Sequence, residues 1–518
     1  MPTTLYRHGL VRTPERPGAT ALVVGDDGRI VWMGDDREAE AHRDAVDVVV
    51  DLDGALVLPG FVDAHAHVSH TGLGLRGVDL GGTRTADEAL DRIAHAVRRT
   101  PGVPVFAHGW QEQDWTAGRP ITAGELDRAA GGGVVYASRV DGHSAVVSSA
   151  LVALSGADGL DGWSASGFVV RGAKNAARAA FDAARSARER RGDIERALRR
   201  AAGEGIVSVH ECGGPLLTSA EDFADVVDAG RRADLPATVG YWAEAVADPT
   251  QAEAVARLHG ATGLAGDLNI DGSIGSHTAL LREDYADEPG CRGTAYRDVA
   301  SVRDHVAACA MAGLQSGFHV IGDAGLDLVL DGYEAAARLV GAATVRASRP
   351  RLEHAEMADA AGIARMARLG LRASVQPAFD AAWGGPEGLY SARLGVERVT
   401  GTNPYASFVA AGVGLAFGAD SPVTPFGPWA AVRAAVGHRD PDQRVPATVA
   451  VEAHTRGGWA AAGDDTGGEL RVGAPATLAA WDGVTPGEDG LPVLGGGVPL
   501  PLCRLTLRHG VVLHDARA

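Results

Sequence analysis

Lysine is almost absent from this 518-residue chain: of 48 basic residues, all but Lys174 are arginine. Any mechanism that needs a lysine therefore has one place to find it. Cysteine is scarce too. Cys212, Cys291, Cys309 and Cys503 are scattered with no C-x-x-C spacing, which excludes a disulfide framework and a thiolate zinc knot. No run of about 18 apolar residues marks a membrane span, and the opening Met-Pro-Thr-Thr-Leu-Tyr-Arg-His lacks the apolar core of a signal peptide, so the expected location is cytoplasmic. An excess of positive charge is missing as well. The net charge of -18 argues against a nucleic-acid or anionic-membrane partner, because phosphate binding needs clustered Lys and Arg. What remains, 46% hydrophobic and 22% charged, fits a soluble globular protein large enough for one barrel plus a smaller domain.

The first 55 residues alternate short apolar runs with turns, and the last 50 or so do the same. Neither end alone supplies enough strands for a stable sheet, so residues 1–55 and 468–518 are expected to meet in one composite β-sandwich. Between them, short apolar strands alternate with alanine-rich helical stretches, the pattern of a parallel βα architecture. Eight strands are predicted: Ala55 to His65, Gly205 to Cys212, Ala237 to Trp242, Asp267 to Asp271, Ser316 to Ile321, Arg351 to His354, Leu371 to Gln376 and Val413 to Asp420. The fold class is thus α/β, a (β/α)8 TIM barrel over residues 56–467. The gap after the first strand is too long for one helix, so a capping subdomain is expected at about 70–204, with helices at Ala86 to Arg99 and Ala176 to Ala202.

The stretch Leu58-Pro-Gly-Phe-Val-Asp-Ala-His-Ala-His carries the most chemical information. Residues two apart on a strand project from one face, so His65 and His67 set two imidazoles side by side at a strand end, spaced to grip one metal ion. In a barrel the reactive groups sit at the carboxyl ends of the strands. His65, His67, Glu211, Asp271, His319, His354 and Asp420 all fall at or near such ends. Within the insertion, Trp110, Trp115 and His143 are candidate substrate contacts, with core packing the alternative for the tryptophans.

Six motifs in order, Leu58-Pro-Gly-Phe-Val-Asp-Ala-His-Ala-His, Val140-Asp-Gly-His-Ser, Asp271-Gly-Ser-Ile-Gly-Ser-His-Thr-Ala-Leu-Leu, Phe318-His-Val-Ile-Gly-Asp, Arg351-Leu-Glu-His-Ala-Glu and Phe417-Gly-Ala-Asp-Ser-Pro, span nearly the whole chain. Through them it resembles the amidohydrolase superfamily, in the amidohydrolase-3 branch of YtcJ-like and N-substituted formamide deformylase-like proteins. The resemblance implies that His65 and His67 are first-strand metal ligands, His319 the fifth-strand ligand, His354 the sixth-strand histidine and Asp420 the eighth-strand aspartate. Many members carry a lysine four residues before the Asp-Gly matching Asp271-Gly272, carboxylated to bridge two metals; this chain has Asp267 there, and Lys174 reads as a surface helix residue. The expectation is one Zn2+ per chain on His65, His67, Asp420 and His319. A second divalent metal on Glu211 or Asp267 is the rival.

Imidazole and carboxylate ligands with an open position suit Zn2+, which lowers the pKa of bound water to roughly 7. The expected activity is hydrolysis of a carbon–nitrogen bond, an amide or N-substituted formamide, in a small neutral molecule by metal-activated hydroxide. Asp420 would carry the proton to the departing nitrogen, and His354 or the metal would stabilise the oxyanion. Asp271 and His277 are further substrate-binding candidates, with a tight turn held by Asp271 as the alternative. Two other functions use the same fold: deamination of an amidine-like heterocycle, and non-catalytic binding by a barrel that has lost its metal. The expected partner is a small-molecule substrate, and a homodimer is a family-level expectation.

Overall fold

The computed structural model describes residues 1–112, 115–139, 142 and 144–517. Its largest sheet is parallel and eight-stranded: β1 (Phe61–Ala66), β2 (Ile206–Gly213), β3 (Ala237–Trp242), β4 (Gly263–Leu264), β5 (Gln315–Val320), β6 (Arg351–His354), β7 (Arg372–Val375) and β8 (Leu415–Phe417). Spatial order follows chain order. A parallel bridge between Ala66 and Ser421 joins the first strand to the segment after the last, and Asp420 N donates to His65 O at 2.8 Å across the same seam. The ladder therefore nearly closes on itself. Every residue of β1 and β2 is buried, as expected of parallel strands covered on both faces.

The connecting helices start and stop where their end residues dictate. Helix Ala360–Leu369 begins after Asp359, whose carboxylate accepts from Gly362 N, and buries Ile363, Met366 and Leu369 on one face. It ends at Gly370, whose left-handed φ of 72° returns the chain toward β7.

Two further sheets draw on the chain ends. A five-stranded sheet takes Leu10–Val11 and Leu56–Pro59 from one end and Leu478–Asp482, Leu502–Arg508 and Val511–Asp515 from the other. A four-stranded sheet comprises Thr4–Arg7, Ala21–Val24, Ile30–Gly34 and Val48–Asp51. Leu22, Val24 and Ile30 of the second share one apolar cluster with Leu478, Leu505 and Leu507 of the first. Each sheet thus covers the other's apolar face, which neither chain end could do alone. Residues Ser69–Ala197 form a separate compact unit. It holds its own five-stranded sheet, in the order Phe168–Val170, Ser144–Val147, Val135–Arg139, Val105–Trp110, Val78–Asp79. Among the described residues no helix is long and apolar enough to cross a membrane.

Three elements differ from expectation. The run Ala55 to His65 is two strands, because the chain changes sheets at Gly60, where a Cβ would lie 2.3 Å from Val207 Cγ1. The fourth barrel strand is Gly263–Leu264 rather than Asp267 to Asp271. Gly266, at φ 76°, turns the chain out of the ladder, and residues 267–271 keep a single bridge, Asn269 to His319. The helix expected over Ala176 to Ala202 is two, Arg171–Ala184 and Ala187–Gly203. It breaks at Arg185, which is extended and pairs in the interior with Asp193 at 2.9 Å.

Candidate metal centre

Four side chains meet end-on at the carboxyl ends of β1, β4 and β8. His65 Nε2 lies 3.3 Å from Asp267 Oδ1 and 3.5 Å from Asp420 Oδ1. His67 Nε2 lies 3.2 Å from Asp267 Oδ2 and 3.1 Å from Asp420 Oδ1. Nevertheless His65 Nε2, Asp267 Oδ1 and Asp420 Oδ1 are buried with no hydrogen-bond partner. Buried polar atoms are ordinarily satisfied, so partnerless buried donor atoms converging on one point fit the binding of a cation. Donor atoms of His65, His67 and Asp420 all lie within 4.8 Å of one another, as do those of His65, Asp267 and His354.

The electrostatics agree. Burial opposes charge on His65, yet Cys212, Asp267 and Asp420 outweigh it and raise the imidazole well above its usual range. His67 is raised in the same way, burial again being overcome by Asp267 and Asp420. Burial likewise opposes an ionised Asp267, but His65 and His67 hold it well below the usual carboxylate range. The carboxylates thus require positive charge at this point, a role that a divalent cation fits. His354 and His319 are lowered, by burial first and then by His65 and His354 respectively, so both rings are neutral with a nitrogen lone pair to offer.

What aims these rings lies one layer deeper. His65 Nδ1 sits 2.9 Å from Glu353 Oε2, so the ring donates there and turns Nε2 toward the cluster, the arrangement that orients metal-binding histidines. Glu353 is itself held by Arg351 through Nε to Oε1 at 2.6 Å and Nη2 to Oε2 at 2.9 Å. Arg351 also donates to Ala64 O and Ser374 Oγ, meets His210 Nδ1 at 3.1 Å and stacks 4.5 Å over Tyr241. His354 Nδ1 lies 2.7 Å from Gln376 Oε1, which fixes its Nε2 toward Asp267 at 4.0 Å. Asp63 accepts from Ala419 N at 3.1 Å and clamps β1 to the turn that carries Asp420. Burial pushes its carboxyl up to about 7, against the hydrogen bonds from Ala419 and His65. Gly418 lets the seam close, since a Cβ there would lie 2.5 Å from His65 N. His354 (φ 68°) and Asp420 (φ 53°) both adopt left-handed backbone, a cost of about 1–2 kcal/mol each that the packed seam sustains.

The remaining expected site residues separate. His319 meets His354 edge to face, ring centroids 4.5 Å apart, but its buried Nδ1 faces Asp271 at 3.8 Å and it joins none of the tight donor groups among the described residues. Asp271 has the geometry of a brace: it is fully buried and accepts from Leu280, Ile321 and Gly322 N–H groups at 2.8–2.9 Å. Glu211 accepts from Val68 N at 2.7 Å, and burial pushes it up to about 7. Trp110 is fully buried in the apolar cluster of the 69–197 unit, stacked on Trp115 and donating to Ala137 O, so it offers no surface to a ligand. His277 is tied to Asp287 and Glu288 at 2.9 and 3.3 Å and, among the described residues, is in none of the tight donor groups. His143 lies outside the described residues. Lys174 is half-buried in the helix Arg171–Ala184 and does not enter the barrel sheet.

Glu353, Arg351 and Gln376 are the positioning residues that the sequence reading did not single out. A signal existed. Arg351 and Glu353 stand two apart on a buried strand and so face the same side, where two opposite charges must pair.

A nearly closed parallel barrel that gathers imidazoles and carboxylates at its carboxyl mouth belongs to the class of metal-dependent hydrolase barrels. The profile of the amidohydrolase family, family 3, matches residues 48–514, and the chain belongs to that family. It is 28% identical over 463 residues to the protein LONG AFTER FAR-RED 3 of Arabidopsis thaliana, covering 83% of this chain and 77% of that one. It is 25% identical over 516 residues to the N-substituted formamide deformylase of Arthrobacter pascens, covering 91% and 92%. A metal-dependent hydrolase from Pyrococcus furiosus superposes with a TM-score of 0.77 at 25% identity, over 92% of this chain and 98% of that one. The protein is an amidohydrolase-family, metal-dependent hydrolase.

Proposed function

We propose that the protein hydrolyses the carbon–nitrogen bond of an N-acylated amine, with N-substituted formamides as the first substrates to try and one Zn2+ as cofactor. The observation that carries this reading is the set of partnerless donor atoms on His65, Asp267 and Asp420, beside His67. The name of the Arthrobacter relative supports the substrate class. His65, His67, Asp267 and Asp420 would hold the cation, with His354 as a fifth donor through Nε2. A divalent cation in such a site acidifies water to a pKa near 7 and polarises a carbonyl oxygen.

The residues then divide the proton work. Burial opposes ionisation of Asp420, but His65 and His67 keep it below its usual range, so it is a carboxylate at neutral pH, able to take a proton from the attacking water and return it to the leaving nitrogen. His354, with its Nδ1 hydrogen committed to Gln376, offers a lone pair rather than a proton, which favours a ligand role over oxyanion stabilisation. Asp267 faces His65 with one oxygen and His67 with the other, which supports one compact centre.

The test pairs metal analysis with product analysis. Protein purified without added zinc and dialysed should keep about one equivalent of metal and release formate and amine from an N-formyl amine. Two equivalents surviving dialysis would overturn the single-metal reading. Ammonia released from amidine-like heterocycles, with no formate from formamides, would favour deamination instead.

A further inference from the structure

A cavity of about 480 Å3 shares a wall with the donor cluster, because Asp267 lines both. Its other walls include Leu216, Leu217, Leu268, Tyr296 and Arg297. Two of these large side chains face solvent, Leu216 at 97% exposure and Tyr296 at 54%. Such apolar surface, next to a reacting centre, is suited to the hydrocarbon part of a ligand.

Arg297 is unlike its neighbours. Its Nε is buried with no hydrogen-bond partner, and among the described residues its guanidinium forms no ion pair. The contrast is with Arg282, paired to Asp327 and Asp359, and Arg292, paired to Asp284. The acidic residue next to it in the chain and the one that shares its cavity are already committed. Asp298 caps the helix Val299–Met311 by accepting from Ser301 N at 2.8 Å. Asp267 is bound up with His65 and His67. In a chain of net charge -18, an arginine left without a carboxylate, at the edge of a cavity, is a charge without its counterpart. Guanidinium matches a carboxylate with two parallel hydrogen bonds, and it stays charged at any working pH.

We propose that Arg297 receives a carboxylate of the substrate, so that the preferred compounds are N-acylated amines bearing both a carboxylate and an apolar side chain. The apolar part lies against Leu216, Leu217 and Tyr296, and the acyl group faces Asp267 and the metal. This rests on the carbon–nitrogen hydrolysis reading and narrows it, replacing the neutral substrate expected from sequence. The overall negative charge does not oppose it, because recognition is set by the pocket and not by the distant surface.

The experiment uses a matched pair, N-formyl-leucine and N-formyl-3-methylbutylamine, which differ only in the carboxylate. In the wild-type enzyme kcat/KM should favour the acid by about 10- to 100-fold, the worth of a charge-assisted pair. Arg297→Gln should bring the ratio near one by losing activity on the acid alone, and Arg297→Lys should restore part of it. Calorimetry with 4-methylpentanoate supplies a readout free of turnover: binding by wild type should weaken by a similar factor in Arg297→Gln. If neither formamide is hydrolysed, the reaction reading fails while calorimetry still judges Arg297. A wild-type preference for the neutral compound, or an acid preference or carboxylate affinity unchanged in Arg297→Gln, would overturn the proposal.

Discussion

Two adjacent layers inside the barrel are built from the same kinds of side chain and end in opposite states. In the lower layer every nitrogen of Arg351 is engaged, by Glu353, Ala64 O, Ser374 and His210, and its face is covered by Tyr241. In the upper layer His65, Asp267 and Asp420 face one another with atoms that have no partner. His65 belongs to both, Nδ1 to the first and Nε2 to the second. The paired Arg351 and Glu353 ions fix geometry, whereas the partnerless atoms of His65, Asp267 and Asp420 that they help hold rigid are prepared for a ligand. The lower layer therefore supplies orientation, and the upper one holds the atoms to which the proposed chemistry is assigned.

Breaking the lower layer should have the largest effect. Glu353→Gln leaves Arg351 buried without its counter-charge and should cost about 3–5 kcal/mol in urea unfolding at neutral pH. Burial opposes an ionised Glu353, yet Arg351 and His65 hold its carboxyl well below the usual range. Because the folded value is depressed, its contribution is present above the unfolded value of about 4 and fades as pH falls through the folded one. The gap between variant and wild type should accordingly narrow below about pH 4. A gap independent of pH would mean that packing, not charge, sustains this layer.

Breaking the upper layer should do the reverse. Asp420→Asn should lower turnover about 10²- to 10⁴-fold and reduce bound metal, while the metal-free protein melts no earlier than the metal-free wild type. Gly418→Ala tests the seam between the layers: forcing a Cβ against His65 should cost about 1–3 kcal/mol in thermal or urea unfolding, with a fall in metal retention. Gln376→Leu should be mildest, releasing the His354 ring and weakening metal affinity about tenfold in a chelator competition, with little change in stability. Equal losses of stability in Asp420→Asn and Glu353→Gln would erase the distinction between the layers.

Much of the fold could be read from the sequence. Strand β3 and strand β6 lie at their predicted bounds; for β3 a mostly apolar run between turn residues has few alternatives. His65, His67 and Asp420 could be read as a group, since a strand end fixes where a side chain points. Asp267 could not be given its weight. Its closeness to His65 and His67 follows from the early exit of the chain at Gly266, and a left-handed turn after a two-residue strand has no periodicity to betray it. Gln376 ends a predicted strand, and a lone amide carries no metal signature. Trp110 is equally able by its pattern to pack or to bind, and it is the tertiary structure that buries it in an apolar cluster.

Sequence alone determined the architecture and offered the candidate ligand types, because both depend on local pattern: apolar runs with period two or none, and His-x-His on one strand face. It also removed the bridging lysine, since the one lysine is far from the fourth strand. Tertiary structure decided which polar atoms are satisfied and which are left over. That is a property of distances between residues up to several hundred positions apart, such as His65 and Glu353 or Asp63 and Ala419, and no local pattern encodes it.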